Sequence, residues 1–337
     1  MSKSRKILLT LALLGVCCLL ALSLQVLNRC TLFAESERYI YIRPGQTSSD
    51  VRHMLAAQGV RRMMGFTLLE KTLGYKVRSG RYAIRRGDNQ LALFRRLRNG
   101  QQEPLNLTLP SVRTLPRLAG FLGERLMVDS ATFITAFRDS ARCAQLGYTL
   151  QTLPALFIPN TYEVYWDISL DDFLQRMKRE NTAFWTSERD RKAQAMGLTH
   201  EEVVTLASIV DEETANNAEK PMIAGMYLKR LSIGMPLQAD PTVKFAVGDF
   251  SLRRIRGEHL KVESPYNTYR NEGLPPGPIR IPSVAGIDAV LNHVSHDYIY
   301  MCAKEDFSGT HNFARTYAEH QQNARRYVRA LDERNIK

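Results

Sequence analysis

The sequence predicts an α+β protein behind an N-terminal transmembrane helix, and three observations carry that prediction. An apolar run opens the chain, a strand–turn–helix pattern recurs shortly after it, and the C-terminal half mixes capped helices with loops punctuated by Pro and Gly. With 337 residues, 44% of them hydrophobic, the chain is long enough for about two domains and a sizeable core.

The first element is the apolar run. Residues 1–6 carry Lys3, Arg5 and Lys6, and Ile7 to Leu27 follows with only Thr10, Ser23 and Gln25 as polar interruptions. Roughly 20 such residues cross a bilayer as a helix. The basic flank precedes them, which favours a cytoplasmic N-terminus and a body outside the cytoplasm. A cleaved signal peptide is the rival reading, but the run exceeds a typical h-region and no small-x-small site follows it. Val16 before Cys17 argues against lipoprotein processing at Cys17 or Cys18.

The second element covers residues 38–104. "YIYIRPGQTSSDVRHML" reads as strand, Pro44-Gly45 turn and helix, and "RYAIRRGDNQLALFRRL" repeats it. Ile42, Arg43, Gly45 and Leu55 align with Ile84, Arg85, Gly87 and Leu97, a spacing of 42 positions (45 to 87, for instance). The spacing predicts a duplicated small α+β unit, with chance similarity as the alternative. Residues 105–198 read as a helical connecting region, interrupted by the aromatic loop "LFIPNTYEVYWD". The region 199–337 opens on a helix whose start is set by a capping box between Thr199 and Glu202.

A net charge of +12 suits an anionic surface or an acidic polymer. Nucleic acid fits least, since the anchor directs the body outward and no nucleic-acid-binding signature is present. Cys143 and Cys302, the two cysteines of the body, show neither metal spacing nor a disulfide framework.

The Thr199-capped helix ends in three consecutive acids, Asp211, Glu212 and Glu213. At about 100° per residue, Val203, Leu206, Ala207, Ile209 and Val210 share a broad face. Glu213 falls near its middle, with Asp211 and Glu212 to either side. An acid on an apolar stripe loses hydration, and its pKa rises toward that of a general acid. Asp211 and Glu212 are expected to be flanking, solvated acids of the helix end; three solvated acids on a frayed end are the alternative. The next helix, "EKPMIAGMYLKRLSIGM", has Pro221 in its first turn and Gly234 as its stop.

Four segments in this order, "LASIVDEET" (206–214), "GMYLKRLSIGMPLQADPTV" (225–243), "SPYNTYRNEGLPPGPI" (264–279) and "GTHNFARTYAEH" (309–320), resemble the endolytic murein transglycosylase, or YceG-like, family. The resemblance implies an N-terminal anchor in the inner membrane, small LysM-like units and a catalytic region over 199–337 facing the periplasm. It implies a lyase that cuts the MurNAc-GlcNAc β-1,4 bond inside nascent peptidoglycan strands without water. The product would be 1,6-anhydro-MurNAc ends, and the cuts would help terminate strand elongation. The family's catalytic glutamate precedes a threonine, which matches Glu213 with Thr214. Family members often carry glutamate where this chain has Asp211, so a shorter acid at 211 points away from that position. No metal or organic cofactor is implied; glycan strands are the expected partner, and glycan polymerases of wall synthesis are implied by the family alone.

Further candidates for substrate binding are Gln238, Asp240, Tyr266, Asn267, Thr268, Tyr269, His311 and Asn312. Each has a bland counterpart. Asp240 before Pro241 suits a turn or cap, or else a second acid at the anomeric centre. The Asn267-Thr268 stretch suits a turn with packing tyrosines, and His311, after Gly309, a structural hydrogen bond. His320 and Asn323 are expected to brace the C-terminal helix. A hydrolytic muramidase using Glu213 with Asp240, and a non-catalytic wall-binding scaffold, are the competing functions.

Overall fold

A computed structural model describes residues 3–31, 33–252 and 255–334. The side chains of residues 3–6 and of Cys18, and Arg253 and Arg254 of one basic stretch, lie outside the described set. The chain divides into two compact units, one made of residues 1–107, 125–127 and 163–168, the other of 108–124, 128–162 and 169–337.

The first unit contains α1 (Lys3–Leu27), β1 (Glu37–Ile42), α2 (Ser48–Ala57), α3 (Met64–Leu73), β2 (Gly80–Arg85) and α4 (Gln90–Arg98). Helix α1 covers the expected span and exposes Ile7, Leu8, Leu11 and Leu14. Among the described residues no helix is long and apolar enough to cross a membrane.

The two strand–helix segments share one core. β1 and β2 pair antiparallel, Glu37 opposite Arg85 and Ile42 opposite Gly80, with α2 and α3 between them in sequence. The 42-residue spacing is visible in the local chemistry. Gly45 and Gly87 both turn the chain at positive φ, and Thr47 and Asn89 both cap the following helix. Ile42, Leu55, Ile84 and Leu97 are fully buried in that core.

β3 (Leu105–Thr108) and β4 (Thr161–Val164) lie where the chain passes from one unit to the other. The second unit holds α5 (Leu115–Gly123), α6 (Ser130–Phe137), α7 (Ser140–Leu146), α8 (Leu170–Phe184) and α9 (Ser187–Ala195). These are followed by α10 (His200–Glu213), α11 (Lys220–Ser232), α12 (Asp240–Val247), α13 (Val284–Leu291), the strands β5 (Tyr300–Ala303) and β6 (His311–Ala314), and α14 (Tyr317–Glu333). The whole is mixed α+β, rich in helix and with small sheets, as the sequence predicts.

Helix α10 is the axis of this unit. Thr199 and Glu202 form the expected capping box at its start. Every residue from Val203 to Val210 is buried, so the helix is enclosed on all sides and not on one broad face. A helix apolar all round belongs in the interior of a larger protein. Its two polar interruptions are locally satisfied: Thr205 donates to the Glu201 carbonyl at 2.7 Å and Ser208 to the Thr205 carbonyl at 2.7 Å. α10 packs against α11 and α13, and their apolar residues form one cluster that includes Ile223, Tyr227, Ile287 and Val290.

Close approach of α13 to the end of α10 requires Gly286. A Cβ there would fall inside contact distance of the Asp211 carboxylate. Gly286→Ala is therefore expected to lower unfolding free energy by about 1–3 kcal/mol through overpacking, read as a lower denaturation midpoint at unchanged m value.

Candidate active site

The three acids at the end of α10 have three different fates. Asp211 is not solvated. Its carboxylate pairs with Lys220 Nζ at 2.7 Å, the two side chains only 3% and 7% exposed. It also accepts from the Ser283 backbone N–H at 2.5 Å and the Ser283 hydroxyl at 3.1 Å. Ser283 in turn caps α13 through Gly286 N–H. Glu212 is likewise held: its Oε1 accepts from Arg280 and from Arg113, each at 2.8 Å. The expectation of two solvated flanking acids is thus corrected, because each meets a cation distant in sequence.

Glu213 is the last residue of α10. Thr214 stops the helix there in an extended conformation (φ −147°, ψ 140°), and its buried hydroxyl accepts the Asn216 N–H at 3.1 Å. The Glu213 side chain enters a cavity of about 370 Å³ that Tyr227, Gln238, Asp240, Tyr269 and His311 also line. The size lies within the usual range for a ligand pocket. Burial pushes the Glu213 carboxyl up from the ordinary 4.5 to about 7; the Tyr227 hydroxyl, donating to Oε1 at 2.6 Å, works against that rise. The Asp240 charge adds to the rise, while His311 and Lys244 oppose it. An acid so placed holds its proton up to neutrality and can release it, as a general acid must.

Tyr227, from α11, is 2% exposed, and its phenol is pushed well above the ordinary range by burial and by Glu213. It therefore remains a donor at all working pH. Tyr227→Phe removes the bond that favours ionised Glu213, so the Glu213 pKa should climb further. The fall of activity on the alkaline side should move to higher pH, with about 1 kcal/mol of stability lost. A pH–rate profile of the two proteins checks the shift.

The other expected site residues divide. Gln238, Asp240, Tyr269 and His311 line the cavity with Glu213; Tyr266, Asn267, Thr268 and Asn312 do not. Asp240 opens α12 without a side-chain capping bond, and its Oδ1 accepts the Tyr269 hydroxyl at 2.7 Å. Asn267 is fully buried and donates to the Leu260 and Val262 carbonyls, both at 2.9 Å, while accepting Tyr269 N–H. No donor remains for a ligand. Thr268 is 1% exposed. Its carbonyl accepts Gln238 N–H and its hydroxyl accepts Ala239 N–H, both at 3.0 Å. These bonds hold Gln238 at φ 49°, a left-handed conformation that costs a non-glycine residue about 1 kcal/mol or more. Tyr266 packs its ring on Phe245 with centroids 4.6 Å apart, and Asn312 donates to Glu305 at 2.7 Å. The stretch 266–268 supports the wall of the cavity and does not form its surface.

Three contributors were not anticipated. Tyr227 is one. Arg230, also on α11, is buried and spends its guanidinium on the Ile299, Pro236 and Leu237 carbonyls, tying the 236–238 loop to the segment before β5. His320, expected as a helix brace, lines the cavity and stacks on Tyr300 with centroids 5.3 Å apart. Burial and Arg230 lower its pKa. A tyrosine in an apolar helical pattern carries no signal of its partner, which is why Tyr227 escaped the sequence reading.

Fold and site together define an α+β protein whose cavity is centred on one partly buried acid, flanked by a second carboxylate, tyrosines and histidines. A model of the YceG-like family matches residues 40–326, and the chain belongs to that family. The endolytic murein transglycosylase of Bacillus subtilis strain 168 is 33% identical over 168 residues, 50% of this chain and 46% of that protein. The enzyme of the same name from Streptococcus pneumoniae D39 is 25% identical over 333 residues, 88% of this chain and 59% of that one. The chain thus spans about half the length of these relatives. A YceG-like protein of Listeria monocytogenes, known from a 2.6 Å crystal structure, superposes with a TM-score of 0.57 at 25% identity, covering 86% of this chain and 99% of that one.

Proposed function

We propose that the protein is an endolytic lytic transglycosylase of peptidoglycan, a carbon-oxygen lyase, with Glu213 as its catalytic acid. The observation that carries the reading is Glu213 itself, whose carboxyl is held near pKa 7 in a polar cavity and bonded by one neutral donor. The names borne by the Bacillus and Streptococcus relatives supply the substrate class.

In the proposed reaction the Glu213 proton passes to the glycosidic oxygen as the bond from the anomeric carbon to that oxygen breaks. The muramic acid 6-hydroxyl closes onto the anomeric carbon, and its proton passes to the Glu213 carboxylate, which restores the acid. Intramolecular attack gains from a high effective concentration. The Asp240 carboxylate, oriented by Tyr269, stabilises positive charge developing at the anomeric centre. Gln238 and His311 offer hydrogen bonds to sugar hydroxyls, and Tyr269 offers an apolar ring face.

The reading extends to the organisation of the chain. Residues 7–27 anchor the protein in the inner membrane, with residues 1–6 cytoplasmic and the body periplasmic. Residues 38–104, whose strand–helix segments β1-α2 and β2-α4 share one core, are the LysM-like part and would hold glycan or act as a spacer above the bilayer. Residues 105–198 connect it to the catalytic region, 199–337. Glycan polymerases are the proposed partners.

Chromatography of purified glycan strands incubated with the full chain tests the assignment. Internal cutting shortens long strands to fragments of intermediate length. Strands retained by the protein at unchanged length would identify a binding scaffold and sink the enzymatic reading.

A further inference from the structure

Glu219 is an acid that the proposed reaction leaves unused, and it is one of the more enclosed. It stands at the cap position of α11, 9% exposed, at a helix N-terminus that favours negative charge. Both of its oxygens are committed to a single residue across the unit. Oε1 accepts the His311 backbone N–H at 2.6 Å, and Oε2 lies 3.0 Å from His311 Nδ1. His311 begins β6, pairing with Ala303 of β5, and its side chain, 15% exposed, lines the same cavity as Glu213.

A carboxylate only accepts, so the ring nitrogen facing it carries the proton. In the neutral imidazole the other nitrogen, Nε2, is then an acceptor, and Nδ1 being occupied, Nε2 is the ring nitrogen left for the cavity. A carboxylate that fixes both the tautomer and the ring plane of a working histidine recurs in catalytic and metal sites.

We infer that Glu219 is a positioning residue which holds His311 so that Nε2 accepts a hydrogen bond from a hydroxyl of the glycan bound beside Glu213. The inference rests on the glycan-cleaving reading above. It adds a residue to that reading and assigns a direction to the bond: sugar hydroxyl donating, His311 accepting.

Three variants and one spectrum test it. Glu219→Gln keeps an acceptor for the backbone N–H but turns an NH₂ toward Nδ1, which moves the ring proton to Nε2. His311→Asn keeps a donor toward Glu219 while deleting Nε2. Each is expected to lower kcat/KM on purified glycan strands roughly ten- to hundred-fold. Nitrogen-15 NMR of the ring should report an Nδ1–H tautomer in the native protein and Nε2–H in Glu219→Gln. His311→Asn at native kcat/KM would overturn the inference, as would an Nε2–H tautomer in the native protein. Should Glu219→Gln fail to fold, His311→Asn and the native spectrum decide. Glu213→Gln, assayed alongside, separates the two levels. If it still yields anhydro ends, the assignment of the acid is wrong; if it is inactive while His311→Asn is normal, only the present inference falls.

Discussion

Replacing Glu213 by Gln is expected to cut the formation of anhydro ends by at least about 10²–10⁴-fold, the usual contribution of a positioned general acid, while leaving the fold intact. The amide retains an oxygen for the Tyr227 hydroxyl, so the bond now 2.6 Å long has a counterpart in the variant. The same substitution has an opposite effect on stability, and its sign follows from the pKa. Glu213 titrates near 7 in the folded protein against an ordinary 4.5. A raised pKa means that the protonated form contributes stability in full below pH 4.5. That contribution is lost as pH climbs through about 7. The shift corresponds to about 3 kcal/mol at roughly 1.4 kcal/mol per pH unit. Glu213→Gln does not titrate, so relative to the native protein it should gain that amount between about pH 4 and pH 8. Denaturant melts at the two pH values read the difference directly. An inactive variant that is also more stable at pH 8 would have the signature of an acid kept for chemistry at the expense of the fold.

The second large effect belongs to Lys220. Asp211 and Lys220 form an ion pair with both side chains almost wholly enclosed, and removing one partner strands the other charge. Lys220→Met is expected to cost about 3–5 kcal/mol, which for a unit of this size lowers the melting temperature by about 10 °C. Removing both charges should recover much of the loss, since well-packed apolar residues often replace a buried pair without penalty. Thermal melts of Lys220→Met and of Asp211→Leu/Lys220→Met check this. Equal destabilisation of the single and double variants would show that the two bonds from Ser283 to Asp211, not the charge balance, brace α13.

The start of α10 was legible because a capping box is local, Thr199 to Glu202. The stop at Gly234 was legible because only a residue free to adopt φ 67° turns the chain there without strain. Glu213 was legible from helical spacing and from its resemblance to a family position, although α10 is enclosed on every side from Val203 to Val210 and not on one face alone. Asp211 and Glu212 were misread for the opposite reason. Glu212 meets Arg280 and Arg113 across 68 and 99 positions, and no periodicity encodes such partners. The polar run at 266–269 shows a related limit. Composition marks a loop rich in hydrogen-bonding groups, but only tertiary packing decides that Asn267 and Thr268 spend theirs inward while Tyr269 turns to Asp240. The 42-position spacing marked two similar segments, yet the shared core of β1 and β2 depends on antiparallel pairing that a repeat does not specify.

The central claim is that Glu213 serves an intramolecular displacement in which water takes no part. Digestion of purified glycan strands in water enriched in oxygen-18, followed by mass spectrometry of the new ends, tests it most directly. The account predicts ends about 18 Da lighter than hydrolytic ones and free of the heavy isotope. Ends that are full-mass and labelled would contradict it, and would assign Glu213 and Asp240 to a hydrolase instead.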